Sequence, residues 1–143
     1  MARKGWSKSL SGFAREVEAE QNKRLRATAL QALNGVIERS PVDTGAFRGS
    51  HRVSVATPDN GYSLEDTDRS GSATLAKGSA KIQSVRTAWE VIYVQSNLPY
   101  AEAIEFGQFI YKPAGKTTPA GYSIQAPAGV YAITFDNLRA QNT

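Results

Sequence analysis

The chain has 143 residues and a mass of 15.4 kDa, with 41% apolar and 21% charged residues and a formal net charge of +4. That length suits one domain spanning 1–143 with a single modest core. With no Cys and one His, His51, disulfides, thiolate ligands and multi-His centres are excluded, and no metal or cofactor is expected.

The excess charge is concentrated at one end. Residues 1–27 hold Arg3, Lys4, Lys8, Arg15, Lys23, Arg24 and Arg26 against Glu16, Glu18 and Glu20, whereas the remaining residues carry ten groups of each sign. These seven are the candidate contacts for DNA or an acidic partner surface, with 1–8 as a basic arm. The plainer reading is a solvated helix face with pairs such as Glu20 and Arg24 at i,i+4. Because no apolar run approaches the ~18 residues of a bilayer span, no membrane role is expected.

From about Ser9 to Arg39 there is no Pro, and Trp6, Leu10, Phe13, Val17, Leu25, Ala29, Leu33, Val36 and Ile37 recur at helical intervals. One long amphipathic helix is predicted, started by Ser7, Ser9 or Ser11 and stopped by Pro41. Around residues 18–24 the apolar stripe fades, so this stretch is expected to lie exposed or under a neighbouring subunit. Residues 47–56 alternate loosely as a strand, to be paired with 89–94, where Trp89, Val91, Ile92, Tyr93 and Val94 give the densest strand signal. The intervening 57–86 reads as a long loop or as a loop holding a short helix near 73–80. Pro99 and Gly107 bracket a short helix over 100–106, residues 108–128 form a second long loop, and a helix is expected within 129–139. The predicted class is α+β: a long N-terminal helix packed on a small, mostly antiparallel sheet, with a short C-terminal helix beside it.

Catalytic constellations are thin. His51 with Ser50 or Ser54 and Asp43 would be the only hydrolase set, but no Gly-x-Ser-x-Gly elbow exists and neighbours on a strand point apart. A half-exposed strand histidine is the default. Glu102 and Glu105 have no partner set to complete a metal site, so a capping or pairing role is expected. Gly71, Gly78, Lys77 and Lys81 lack the spacing of a phosphate-binding loop. No enzymatic activity is expected.

Two segments stand out. Ser40-Pro41-Val42-Asp43-Thr44-Gly45-Ala46-Phe47-Arg48 joins the first helix to the first strand, and Asn97-Leu98-Pro99-Tyr100-Ala101-Glu102-Ala103-Ile104-Glu105-Phe106-Gly107 joins the second strand to the short helix. On physical grounds both are economical turns. With Gln125-Ala126-Pro127-Ala128-Gly129 following in order, the stretch from about residue 30 to 139 resembles the tail-completion, or neck, proteins of long-tailed double-stranded DNA bacteriophages. The minor tail protein Z of lambda-like phages is related to that family. The sequence departs from the family pattern at His51, where Trp is common, and at Phe106, where Tyr is frequent.

The resemblance implies a non-enzymatic virion protein, made in the host bacterial cytoplasm, that completes the tail and joins it to the DNA-filled head. It implies a ring, sixfold to match the tail, touching connector or head-closure proteins on one side and tail terminator or tail tube proteins on the other, around double-stranded DNA. Its motif positions here are Pro41, Asp43, Thr44, Gly45, Phe47, Arg48, Asn97, Pro99, Tyr100, Glu105, Gly107, Gln125, Pro127 and Gly129. The alternatives are a tail terminator or head-closure ring protein and, from another class, a nucleic-acid-binding module built on the basic N-terminal segment.

Overall fold

A computed structural model describes residues 9–109 and 115–142. The chain runs α1 (Leu10–Arg39), a 3-10 turn (Arg48–Ser50), β1 (Arg52–Val55), α2 (Ser72–Gln83), β2 (Ile92–Gln95), α3 (Ala101–Phe106) and α4 (Tyr131–Gln141). β1 and β2 form a two-stranded antiparallel sheet in which Val53 faces Val94 and Val55 faces Ile92. The architecture is the α+β arrangement predicted: a long first helix, a small antiparallel sheet and a short C-terminal helix.

α1 is 30 residues, about 45 Å at 1.5 Å per residue. Of the three candidate serines, Ser9 is the N-cap, its Oγ accepting from Gly12 N at 3.1 Å. Ser40 ends the helix in an extended conformation, as the following Pro41 requires. Apart from Asn22, the buried residues of α1 lie in its C-terminal part, from Ala29 onward. Leu33 and Val36, both fully covered, belong to two different core clusters. Leu33 packs with Ala29, Ile37, Val53 and Ile82 between α1, α2 and β1. Val36 packs with Phe47, Leu98, Ile104, Ala126 and Val130, which places α1 against the turn segments and the start of α4. A Cβ on Gly78 would lie 2.3 Å from a Leu33 methyl, so this glycine sets how closely α2 approaches α1.

Several expectations are corrected. Residues 47–51 do not join the strand. The turn at Gly45 continues into a 3-10 turn, held by Ser50 Oγ donating to Phe47 O at 2.6 Å, and β1 starts only at Arg52. Trp89 lies in a turn ahead of β2 and is exposed. The segment 57–86 is not one long loop: α2 occupies Ser72–Gln83, longer than the short helix considered there. Pro99 precedes the cap Tyr100 rather than opening α3. The faded stretch of α1 is partly covered by the chain itself, with Asn22 Nδ2 donating to Val85 O at 3.3 Å and Thr87 Oγ1 to Glu18 Oε1 at 3.1 Å. Conversely Leu10, Phe13 and Val17, spaced like core residues, are exposed. Over 108–128 the described residues form neither helix nor strand, apart from isolated bridges of Thr117 with Ser123 and Pro127 with Gly129.

Candidate functional site

The three motif segments, spread over 89 residues of sequence from Pro41 to Gly129, meet around one core cluster. The first turns sharply at Gly45, whose φ is +94°. A Cβ there would be 2.8 Å from Arg69 N, so both conformation and space demand glycine. Thr44 Oγ1 accepts from Ala46 N, and Gly45 O accepts from Gly49 N and Asp68 N. Arg48 ties the turn at both ends, donating to Ser40 O and Arg69 O at 2.9 Å each. Arg69 returns a bond to Asp43 O. Phe47 is the apolar anchor, its ring 6.4 Å from Tyr100 and edge-on to His51 at 5.1 Å.

The second segment works in the same way. Asn97 Nδ2 donates to Asp59 O at 2.6 Å and Gly61 O at 2.8 Å, pinning the loop after β1 to the end of β2. Gly107 ends α3 in a left-handed conformation. Glu105 reaches across to α4: its carboxylate accepts from Val130 N, Tyr131 N and Ala132 N at 2.8 to 2.9 Å. A negative charge on three free N–H groups at a helix start is strongly favourable. This is the capping role expected for the Glu102 and Glu105 pair, carried by Glu105 alone, since Glu102 is exposed.

In the third segment, Gln125 reads the backbone of Val42 with both ends of its amide. Val42 N donates to Gln125 Oε1 at 2.9 Å, and Gln125 Nε2 donates to Val42 O at 3.1 Å. The first and third motifs are thereby clasped. Pro127 is exposed and bridges to Gly129. A cleft of about 670 Å³ opens beside the clasp, with Phe47, Tyr100, Ile104 and Phe109 among its apolar lining and Thr44 and Lys116 among its polar lining.

The hydrolase set does not assemble. His51 is buried, 5% exposed, rather than half-exposed, and it bonds to neither Ser50, Ser54 nor Asp43. It lies between Ser40 Oγ, 2.5 Å from Nε2, and Tyr131 OH, 2.6 Å from Nδ1. Ser40 spends its proton on Val36 O at 2.6 Å. The ring therefore donates from Nε2, and in its neutral form, which burial favours, it accepts the Tyr131 proton at Nδ1. Burial, aided by Arg48, lowers its pKa to about 3. Burial also pushes Tyr131 well above the ordinary tyrosine value, with Glu105 adding to the shift.

Sequence reasoning missed Ser40 and Tyr131 as partners of His51, and it missed Asp68. Asp68 caps α2, accepting from Gly71 N, Thr74 N and Thr74 Oγ1. Although burial acts to raise its pKa, these bonds hold it below the usual carboxylate value. An acidic residue just ahead of a Ser-Gly-Ser helix start was the available signal.

The basic set does not converge. Arg3, Lys4 and Lys8 lie outside the described residues. Arg15, Lys23 and Arg24 are exposed and Arg26 is half-buried. At ~100° per residue these four point to at least three sides of α1. Arg24 pairs with Glu20 at 3.5 Å. Among the described residues no group of three or more His, Cys, Asp or Glu side chains is placed to hold a metal, and no helix is long and apolar enough to cross a membrane. Comparison with family models, curated proteins and solved structures found no match to the chain.

Proposed function

We propose that the chain is a structural, non-enzymatic subunit of the head–tail junction of a long-tailed double-stranded DNA bacteriophage. In this reading it completes the tail as a ring subunit, probed by connector or head-closure proteins on one face and by tail terminator or tail tube proteins on the other, within the virion. The observation that carries it is the clasp itself. The three motifs that resemble the neck family meet in one place and spend their polar groups on each other: Arg48 on Ser40 and Arg69, Glu105 on α4, Gln125 on Val42. Such residues build a rigid body rather than a reactive centre. What the surface offers instead is uncovered apolar side chains, among them Phe13, Trp89, Phe106 and Ile124, of the kind that protein partners cover.

The test is genetic and visual. Inactivating the gene in a particle-forming host should leave DNA-filled heads and free tails that do not join, and electron microscopy of intact particles should place the chain at the neck. Complete, infectious particles formed without the chain would overturn the reading.

A further inference from the structure

We propose that the open face of α1 pairs antiparallel with the same face of a second copy of this chain. The inference goes beyond the neck reading and does not depend on it. Its starting point is a stripe that the fold leaves uncovered. Leu10, Phe13 and Val17 are 82%, 60% and 45% exposed. They lie ~120° round the helix from the face that carries Ala29, Leu33 and Val36 into the core. α1 thus has two apolar faces, and its own domain uses one of them.

The open stripe continues along the helix at alternating spacings of three and four residues. After Leu10, Phe13 and Val17 come Glu20, Arg24, Ala27 and Gln31. This is the spacing of a coiled-coil seam. Arg24, Ala27 and Gln31 form one wall of a groove of about 600 Å³, and Phe135, Leu138 and Arg139 of α4 form the other. One helix face therefore carries an apolar ridge at its start and, further along, a groove between two helices that a ridge can fill.

Charge selects the occupant and its direction. On the seam itself Glu20 precedes Arg24, whereas Glu18, bonded to Thr87, and the half-buried Arg26 lie toward the opposite side of the helix. A second copy laid antiparallel puts each Glu20, paired with Arg24 of its own chain at 3.5 Å, beside the Arg24 of the other copy as well. A parallel copy in register puts like on like. With the twofold axis near Asn22, Val17 lies opposite Ala27 of the second copy, Glu20 opposite its Arg24, and Phe13 opposite its Gln31, at the mouth of the groove beside its Phe135. The contact is isologous, so ridge and groove are filled on both copies at once and the free chain closes as a dimer; it is distinct from the head-to-tail contacts that would join neighbours in a ring, whose subunits all face the same way. Complementary charges of this kind set orientation more than affinity; the apolar ridge supplies the attraction.

The experiment uses the full chain. Sedimentation equilibrium should give twice the 15.4 kDa mass, and Val17→Asp should return it to the monomer with an unchanged circular dichroism spectrum and melting temperature, because Val17 belongs to neither core cluster. Glu20→Arg and Arg24→Glu should each weaken the dimer at least tenfold, and the double reversal should restore it. Because the chain has no Cys, Val17→Cys mixed with Ala27→Cys should give a disulfide-linked pair while neither variant links with itself. A monomer at every concentration would overturn the proposal. So would any oligomer that survives Val17→Asp, or self-linking of Val17→Cys, which marks a parallel pair. The neck reading is tested on particles, so either can fail without the other.

Discussion

Glu105 and Gly129 interlock: a Cβ built on Gly129 would sit 2.7 Å from Glu105 O and 3.2 Å from its carboxylate. The glycine, at φ +80°, is what lets that carboxylate reach three N–H groups at the start of α4. Two motifs far apart in sequence thus form one helix-capping device. Glu105→Ala should cost about 2 kcal/mol in urea unfolding, within the range for lost caps and charged hydrogen bonds. Glu105→Gln should cost less, since one acceptor oxygen remains, and Gly129→Ala should cost at least 1 kcal/mol through its positive φ. Amide exchange should accelerate first in α4. Stability unchanged in all three would remove the cap from the account of the fold.

The network through His51 makes a pH prediction whose sign follows from the lowered pKa. The ring ordinarily titrates near 6.5 and in the fold near 3. The native state therefore binds fewer protons than the unfolded chain between these values. Its contribution is complete above about pH 6.5 and is lost as the pH falls toward 3, at up to about 1.4 kcal/mol per pH unit. Urea midpoints of the wild type should decline between pH 6.5 and 5, above the range of ordinary carboxylates. His51→Asn, although less stable at neutral pH, should show little decline over that window. Equal slopes for the two proteins would show that His51 is not held neutral.

Much of this fold was legible because its signals are local. Ser9 and Pro41 delimit α1, Gly107 stops α3, and Gly45 marks a turn that only glycine accommodates. The rest depends on contacts between distant residues. Ser40, His51 and Tyr131 are 11 and 80 residues apart in sequence, so no spacing rule joins them. That Glu105 would cap or pair was readable, but that its target is the start of α4 was not. The apolar spacing of Leu10, Phe13 and Val17 was readable as amphipathicity, yet periodicity states that a face is apolar and not which surface covers it. In β1 the loose alternation overran the real strand because Ser50 and Phe47 satisfy their groups locally in a 3-10 turn.

The clasp between Gln125 and Val42 yields a sharper test than simple truncation. Gln125→Ala removes two hydrogen bonds from an exposed side chain and should cost about 1 kcal/mol. Gln125→Glu keeps the size and the acceptor facing Val42 N but sets an oxygen against Val42 O. It should therefore be at least as harmful as alanine at neutral pH, and part of the loss should be regained in acid when the carboxyl can donate again. A glutamate variant as stable as wild type would mean that the side chain serves only as packing.

Nucleic-acid contact by α1 can be judged from its salt dependence. Arg15, Lys23, Arg24 and Arg26 point to different sides of the helix, and Arg24 is already paired with Glu20. A single duplex laid along α1 therefore meets about two of them at once. Each phosphate neutralised contributes about 0.9 to the slope of log K against log salt, so this helix should give a slope near 2, whereas seven converging groups would give about 6. Replacing Arg15, Lys23 and Arg26 with Gln should alter the slope by no more than about two. The exposed substitutions at Arg15 and Lys23 should change stability by about 0.5 kcal/mol or less; because Arg26 is half-buried, the melting temperature of the triple variant is measured beside its binding, so that a change in the slope reads the contact and not the fold. A slope near 6 that collapses in this triple variant would show that α1 gathers its charge on DNA in a way its circumference does not suggest. A slope that falls instead when Arg3, Lys4 and Lys8 are replaced would assign the contact to the basic arm.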